Sequence, residues 1–175
     1  MFFAITEAFS SIRDFMEAGG SVLWLIAILV FFMWAMIFER IWYFSHGHEF
    51  YVQDLASKWN NRNDKTSWHA LQIREKMLSE AKVEINKNLT IIQTCVVLAP
   101  LFGLLGTVTG MIEVFHILAV TGGGDAKAMA GGVARSTIPA MAGLMAAIPA
   151  SIAARWLEQN AKKKSDLVSE HLTYE

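Results

Sequence analysis

Three long apolar stretches punctuate the chain, and the polar segments between them fix its organisation. The first, Val22–Phe38 (VLWLIAILVFFMWAMIF), carries no charge and no glycine. The second and third, roughly Thr94–Val120 and Met129–Trp156, are longer and dense in Gly, Ala, Thr and Ser. A helix crossing a hydrocarbon core of about 30 Å needs about 20 predominantly apolar residues, so each stretch predicts one membrane span. Ahead of the first span, Phe2, Ile5, Phe9, Ile12 and Met16 fall on one helical face, and Gly19 and Gly20 end the pattern. That spacing predicts an amphipathic helix lying at the membrane surface. Between the first two spans the chain turns polar. From Ser67 to Ala99 it has neither Gly nor Pro, and Leu71, Leu78, Ile85 and Ile92 recur every seven residues. This predicts a helix running unbroken from the aqueous side into the second span, capped by Ser67 or Thr66. From Ser67 to Val120 it would reach roughly 80 Å at about 1.5 Å per residue, so part of it must project into water.

The expected fold class is therefore all-α: an integral membrane protein with three transmembrane helices, the second and third long and extending into the cytoplasm. The segments are an interfacial helix (1–20), a first span (21–44), a helical aqueous domain (45–93), a second span (94–120), a turn (121–128), a third span (129–156) and a charged tail (157–175). The first span is bulky throughout and suits lipid. Trp24 at one end and Trp42 and Tyr43 at the other form the aromatic belt, and Glu39 and Arg40 mark the exit. Pro100, Pro139 and Pro149 lie inside the later spans, where neighbouring helices can re-satisfy the freed carbonyls. Lys and Arg concentrate in 39–88 and from Arg155 onward, whereas the N-terminus has only Arg13 and the 121–128 turn only Lys127. The middle domain and C-terminus are then cytoplasmic, and the N-terminus and turn lie outside.

Composition and charge narrow the function. The chain has 175 residues, is 54% hydrophobic and has a net charge of −1, so nothing in its charge suggests nucleic acid. The first residues, MFFAITEAFSSIRDF, lack a basic n-region and a cleavage site, so no signal peptide is expected. Cys95 sits in an apolar helix and reads as a packing residue. His46 and His48 are two apart and would point to different sides of a helix, so they and Glu49 and His69 are not expected to bind metal. No phosphate loop, nucleophile elbow or His/Cys ligand set appears, so neither an enzyme nor a cofactor is expected.

What remains is polar and small residues inside the membrane. Charged or polar side chains there are costly and are functional candidates by default. On the third span Ser136, Ala140, Gly143, Ala147, Ser151 and Ala154 form one small-residue stripe. On the second span Gly103, Thr107 and Gly110 form one stripe, and Gly106, Thr109, Glu113 and His116 another about 100° away. Small residues let helix backbones approach closely. Gly103, Gly106, Gly110 and Ala147 are therefore assigned to packing, and Thr107 equally to packing or to a pore wall. Glu113 lies eleven residues before Gly124 and Arg135 eleven after it. In an antiparallel hairpin the two sit at similar depth and can pair, either to fix helix register or to take part in ion transfer. His116 is expected at the interface, with a proton relay as the alternative.

The segment APLFGLLGTVTGMIEVF (Ala99–Phe115), the Gly-rich turn, GGVARSTIPAMAGLMAAIP (Gly131–Pro149) and FERIW (Phe38–Trp42) resemble the MotA/TolQ/ExbB proton-channel family, most of all its ExbB branch. The resemblance implies a homopentamer in the bacterial inner membrane, with the N-terminus periplasmic. It implies a central pore holding the helices of an ExbD-like subunit dimer, which brings the protonatable aspartate. Proton flow would energise a TonB-like protein for outer-membrane nutrient import. The alternatives are a TolQ-like motor for envelope integrity, or a membrane scaffold or channel without an ExbD-like partner. Among the family's pore threonines, Thr107 matches the second-span position. The third-span position falls at Ala140, where Thr137, one turn earlier, is the substitute. The resemblance thus places Thr107, Thr137, Ala140 and Gly143 along the proton path. Many relatives carry an acidic residue where Arg135 stands, so with Glu113 opposite the polarity is exchanged between the spans.

Overall fold

The computed structural model describes residues 2–47, 52, 53, 55, 57–59, 61, 67–122 and 126–171. The described residues are helical almost throughout. Helix α1 spans Phe2–Trp42 and passes into a π-helical turn, Tyr43–Gly47. Helix α2 spans Trp68–Asn86, α3 Leu89–Thr121 and α4 Ala126–His171. Among the described residues, three helical stretches are long and apolar enough to cross a membrane. The chain forms two compact units: Met1–Met33 with Thr94–Ser151, and Trp34–Gln93 with Ile152–Glu175.

The first unit is built inside out by soluble standards. Its buried positions are few and mostly small or aliphatic, among them Leu23, Ile26, Ala99, Val114, Ala147 and Ala150. Bulky residues stand outside: Trp24, Phe31 and Phe32 on α1, Leu104, Val108 and Phe115 on α3, and Met141, Leu144 and Met145 on α4. Exposed apolar surface on this scale needs a hydrocarbon solvent, and helices that satisfy their own backbone are the form that tolerates it. The chain is a membrane protein. Helices α3 and α4 run on through Pro100, Pro139 and Pro149. Helix α1 also continues past the glycine pair at 19–20, but Gly20 adopts φ 67° and ψ −162°, so one helical segment ends and another starts there. Glycine takes such a conformation without the Cβ clash that other residues meet. Ile12 is exposed and Met16 partly so; the side chains of Phe2, Ile5 and Phe9 lie outside the described residues.

The second unit has an ordinary apolar core, with Ile37, Phe44, Ile85, Ile92, Leu157 and Val168 buried. Of the seven-residue repeat, Ile85 and Ile92 are buried, Leu78 is partly exposed and Leu71 exposed. Ser67 caps α2, its hydroxyl accepting from the His69 amide at 3.3 Å; Thr66 lies outside the described residues. The expected unbroken helix from Ser67 to Ala99 is not formed. Helix α2 ends at Asn86, Lys87 leaves helical geometry (φ −53°, ψ 138°), and Asn88 takes φ 64° before α3 begins. Asn is one of the few residues besides Gly that visits this left-handed region at low cost, so a break needs no Gly or Pro. Contacts from α1 hold the joint. Arg40 Nη1 donates to the Glu84 carbonyl at 3.2 Å, and Asn88 Nδ2 donates to Glu39 Oε2 at 3.5 Å. Glu39 and Arg40, read as the exit of the first span, differ in environment: the Glu39 side chain is 52% exposed and that of Arg40 only 1%. The Arg40 guanidinium lies 3.3 Å from that carboxylate and 5.2 Å from the Tyr43 ring centroid. In the same unit Lys164 Nζ donates to the Phe44 carbonyl at 2.7 Å.

Candidate functional site

Thr94–Thr121 of α3 and Ala126–Ser151 of α4 lie antiparallel within the first unit, and only four residues of sequence separate the two helices. They meet in one register: Val114 against Gly132, Gly110 against Ser136, Gly106 against Pro139, Gly103 against Ala140, and Ala99 against Gly143. Small residues on both sides permit this approach, which dispersion and close packing must hold together in lipid. At two places it is backbone to backbone. A Cβ on Gly103 would lie 2.9 Å from Ala140 Cα, and one on Gly143 would lie 2.5 Å from the Ala99 carbonyl oxygen. Ala147 is buried further along α4.

The candidate threonines keep their hydroxyls tied to their own helices. Thr107 Oγ1 donates to the Leu104 carbonyl at 2.7 Å, and Thr137 Oγ1 to the Ala134 carbonyl at 2.8 Å. A hydroxyl bonded this way keeps acceptor lone pairs for water or a proton carrier. Thr107 and Ala140 are partly exposed and Thr137 exposed, whereas Gly143 is buried under Ala99.

The helix register sets Glu113 level with Val133, so Arg135 stands two residues away, about 3 Å along the axis. Both are exposed in the single chain, and both line one recess of about 170 Å³. The remaining walls come from Ala18–Val22 around the break in α1, from Gly106, Thr109, Gly110, Val114 and Ile117 of α3, and from Gly132, Ser136 and Pro139 of α4. Among the described residues, the ion pairs within one copy do not join Glu113 to Arg135. The reason lies in the contact face. Gly110–Ser136 and Val114–Gly132 occupy it, and each charged residue is one position off it, flanking the seam. His116 is exposed and is not part of the recess. No group of three His, Cys, Asp or Glu side chains is placed to hold a metal among the described residues. His48 and Glu49, and the side chain of His46, lie outside them.

A profile of the MotA/TolQ/ExbB proton channel family matches residues 47–170, a stretch that holds the whole α3–α4 hairpin. The chain belongs to that family. This MotA/TolQ/ExbB member is 40% identical over 88 residues to the biopolymer transport protein ExbB of Helicobacter pylori, which is 50% of this chain and 58% of the relative. It is 34% identical over 98 residues to the biopolymer transport protein exbB1 of Vibrio cholerae, 55% of this chain and 43% of the relative. It is also 34% identical over 89 residues to the ExbB of Aquifex aeolicus, 51% of this chain and 60% of the relative. The matches thus span roughly half the length of these relatives. Within the family member, the hairpin and both charged residues lie inside the matched segment, whereas the kinked part of α1 that closes the recess lies before it.

The residues that sequence reasoning did not assign are Arg40, Ser21 and Pro139. Arg40 stands next to the first span, and a charge at the end of an apolar run gave no sign of burial. In the sequence Pro139 reads as a break that the membrane tolerates, whereas its ring fills the space that the missing side chain of Gly106 leaves.

Proposed function

We propose that this chain is the pentameric subunit of a proton-driven motor in the bacterial inner membrane, of the ExbB kind. Five copies surround a pore that takes the helices of an ExbD-like subunit dimer, whose aspartate carries the proton. Flow down the gradient energises a TonB-like protein for outer-membrane nutrient import. The observation that carries this reading is the family match over 47–170, because it covers the glycine-packed hairpin that also carries Thr107 and Thr137. The relatives' name, biopolymer transport protein ExbB, favours import over the TolQ-like role in envelope integrity. In this reading the N-terminus and the 121–128 turn are periplasmic, and α2 and the end of α4 are cytoplasmic. Thr107 lines the proton path, with Thr137 taking the place that Ala140 leaves without a hydroxyl; Gly143 keeps the path narrow.

The test is reconstitution. The chain is co-expressed with an ExbD-like subunit from the same genome, sized by native mass spectrometry, and assayed for proton flux in liposomes. Five copies with the partner bound, and flux that falls at least tenfold in Thr107→Val at unchanged assembly, are the expected results. A stable monomer or dimer, or no partner binding, supports the scaffold instead. Wild-type flux in Thr107→Val makes Thr107 a packing residue.

A further inference from the structure

The recess between α1, α3 and α4 has the wrong chemistry to stay dry. It presents a carboxylate (Glu113), a guanidinium (Arg135) and the hydroxyls of Ser21, Thr109 and Ser136 around about 170 Å³. At about 30 Å³ each, that space holds about six waters, and polar recesses of this size fill where each water finds two to four partners. Two backbone features add partners. The reversal at Gly20 ends one helical segment and begins another, and backbone groups at helix ends lack intrahelical bonds. Pro139 has no N–H, so the carbonyl of Arg135, four residues earlier, loses its helical donor. Thr109 and Ser136 spend their protons on their own helices, on Leu105 O and Gly106 O at 3.0 and 3.1 Å and on Val133 O at 2.8 Å, and so keep acceptor lone pairs for water.

The charges lead to the same conclusion. Glu113 and Arg135 stand about 3 Å apart in level but are not joined within one copy. Bare charges in a span are costly, and local water is one of the established ways the cost is reduced. Along α3 the recess runs from Ile117 to Gly106, about 16 Å at 1.5 Å per residue. Its inner end therefore lies one residue from Thr107 on α3, and at Pro139 one residue from Ala140 on α4.

We propose that this recess is a water-binding inlet that carries water from the side of the 121–128 turn to the level of Gly106 and Pro139, with Glu113 and Arg135 bridged through that water. Its hydration stands on the recess alone; its use as the route by which protons reach Thr107 rests on the proton-channel reading.

Single cysteines test it in the full assembled protein with Cys95 replaced by Ala. Thr109→Cys sits inside the recess, and Ile28→Cys is exposed on the bulky, lipid-suited α1. A charged, membrane-impermeant thiosulfonate is added to sealed vesicles of both orientations. Thr109→Cys should react at least tenfold faster than Ile28→Cys from one side of the membrane. Equal slow rates from both sides overturn the inlet, whatever the protein's function. Hydroxyl-radical footprinting of the unmutated protein serves if Thr109→Cys fails to assemble. Val114 and Pro139, buried in the single chain, should then be oxidised at least fivefold more than Leu25 and Ile28. Equal oxidation overturns the inlet. Neither readout depends on proton flux or on a partner, so the proton-channel reading can fail while the inlet stands.

Discussion

Adding one methyl group at Gly143 should part the α3–α4 hairpin. Its Cβ would come within 2.5 Å of the Ala99 carbonyl oxygen, where ordinary contact starts near 3.4 Å, so the helices must separate locally by about 0.9 Å. The obstacle is backbone, and no rotamer change relieves it. A radial gap of 0.5–1 Å forfeits a quarter to a half of each dispersion contact, and overpacking of this kind costs roughly 1–3 kcal/mol. Ala gains up to about 1 kcal/mol over Gly inside a helix, which offsets part of it. The net loss should be about 1–2 kcal/mol. For a chain of this length that corresponds to a fall of roughly 2–8 °C in Tm. Gly131→Ala is the matched control, since nothing lies within 4 Å of its Cβ. It takes the propensity gain without the clash and should melt at or slightly above the unmutated protein. Both are measured by size-exclusion chromatography of heated, detergent-solubilised samples at equal concentration. The reasoning is refuted if Gly143→Ala melts no lower than Gly131→Ala.

Two further substitutions probe the joint between α2 and α3. Asn88 has φ 64°, a conformation that a β-branched residue strongly resists, so Asn88→Val should lower Tm while Asn88→Gly stays close to the unmutated protein; equal effects of the two would show that the conformation is not what matters. Arg40→Ala leaves a cavity and leaves the Glu84 carbonyl with the Lys87 N–H as its donor, and should cost roughly 2–5 kcal/mol, whereas Arg40→Met refills most of the volume and should cost less than half of that. Tm values for the pair check this, and an Arg40→Met variant as unstable as Arg40→Ala would refute the volume argument.

Much of this protein was legible in its sequence because the relevant physics is local. Hydrocarbon thickness fixes the length of an apolar run, so the three spans could be counted. Small residues recurring at helical spacing marked the seam, and Gly103, Gly106 and Gly110 do meet Ala140, Pro139 and Ser136 across it. Counting from Gly124 puts Glu113 and Arg135 at one level, and the helix contacts set them two residues apart, about 3 Å along the axis. The stripe of Gly106, Thr109 and Glu113 even marked one wall of the recess. Tertiary structure decided the rest, because it depends on groups far apart in the chain. Nothing between Ser67 and Ala99 announces a break, since Asn tolerates both helical and left-handed backbone. The choice is made with α1 contacts that reach across 44 and 49 residues, from Arg40 to Glu84 and from Glu39 to Asn88. Pairing was likewise out of reach for the sequence. Equal depth of Glu113 and Arg135 follows from counting, but whether they touch depends on which residues take the contact face. The small residues took it, and the two charges were left flanking a recess that a third helix, kinked at Gly20, helps to wall.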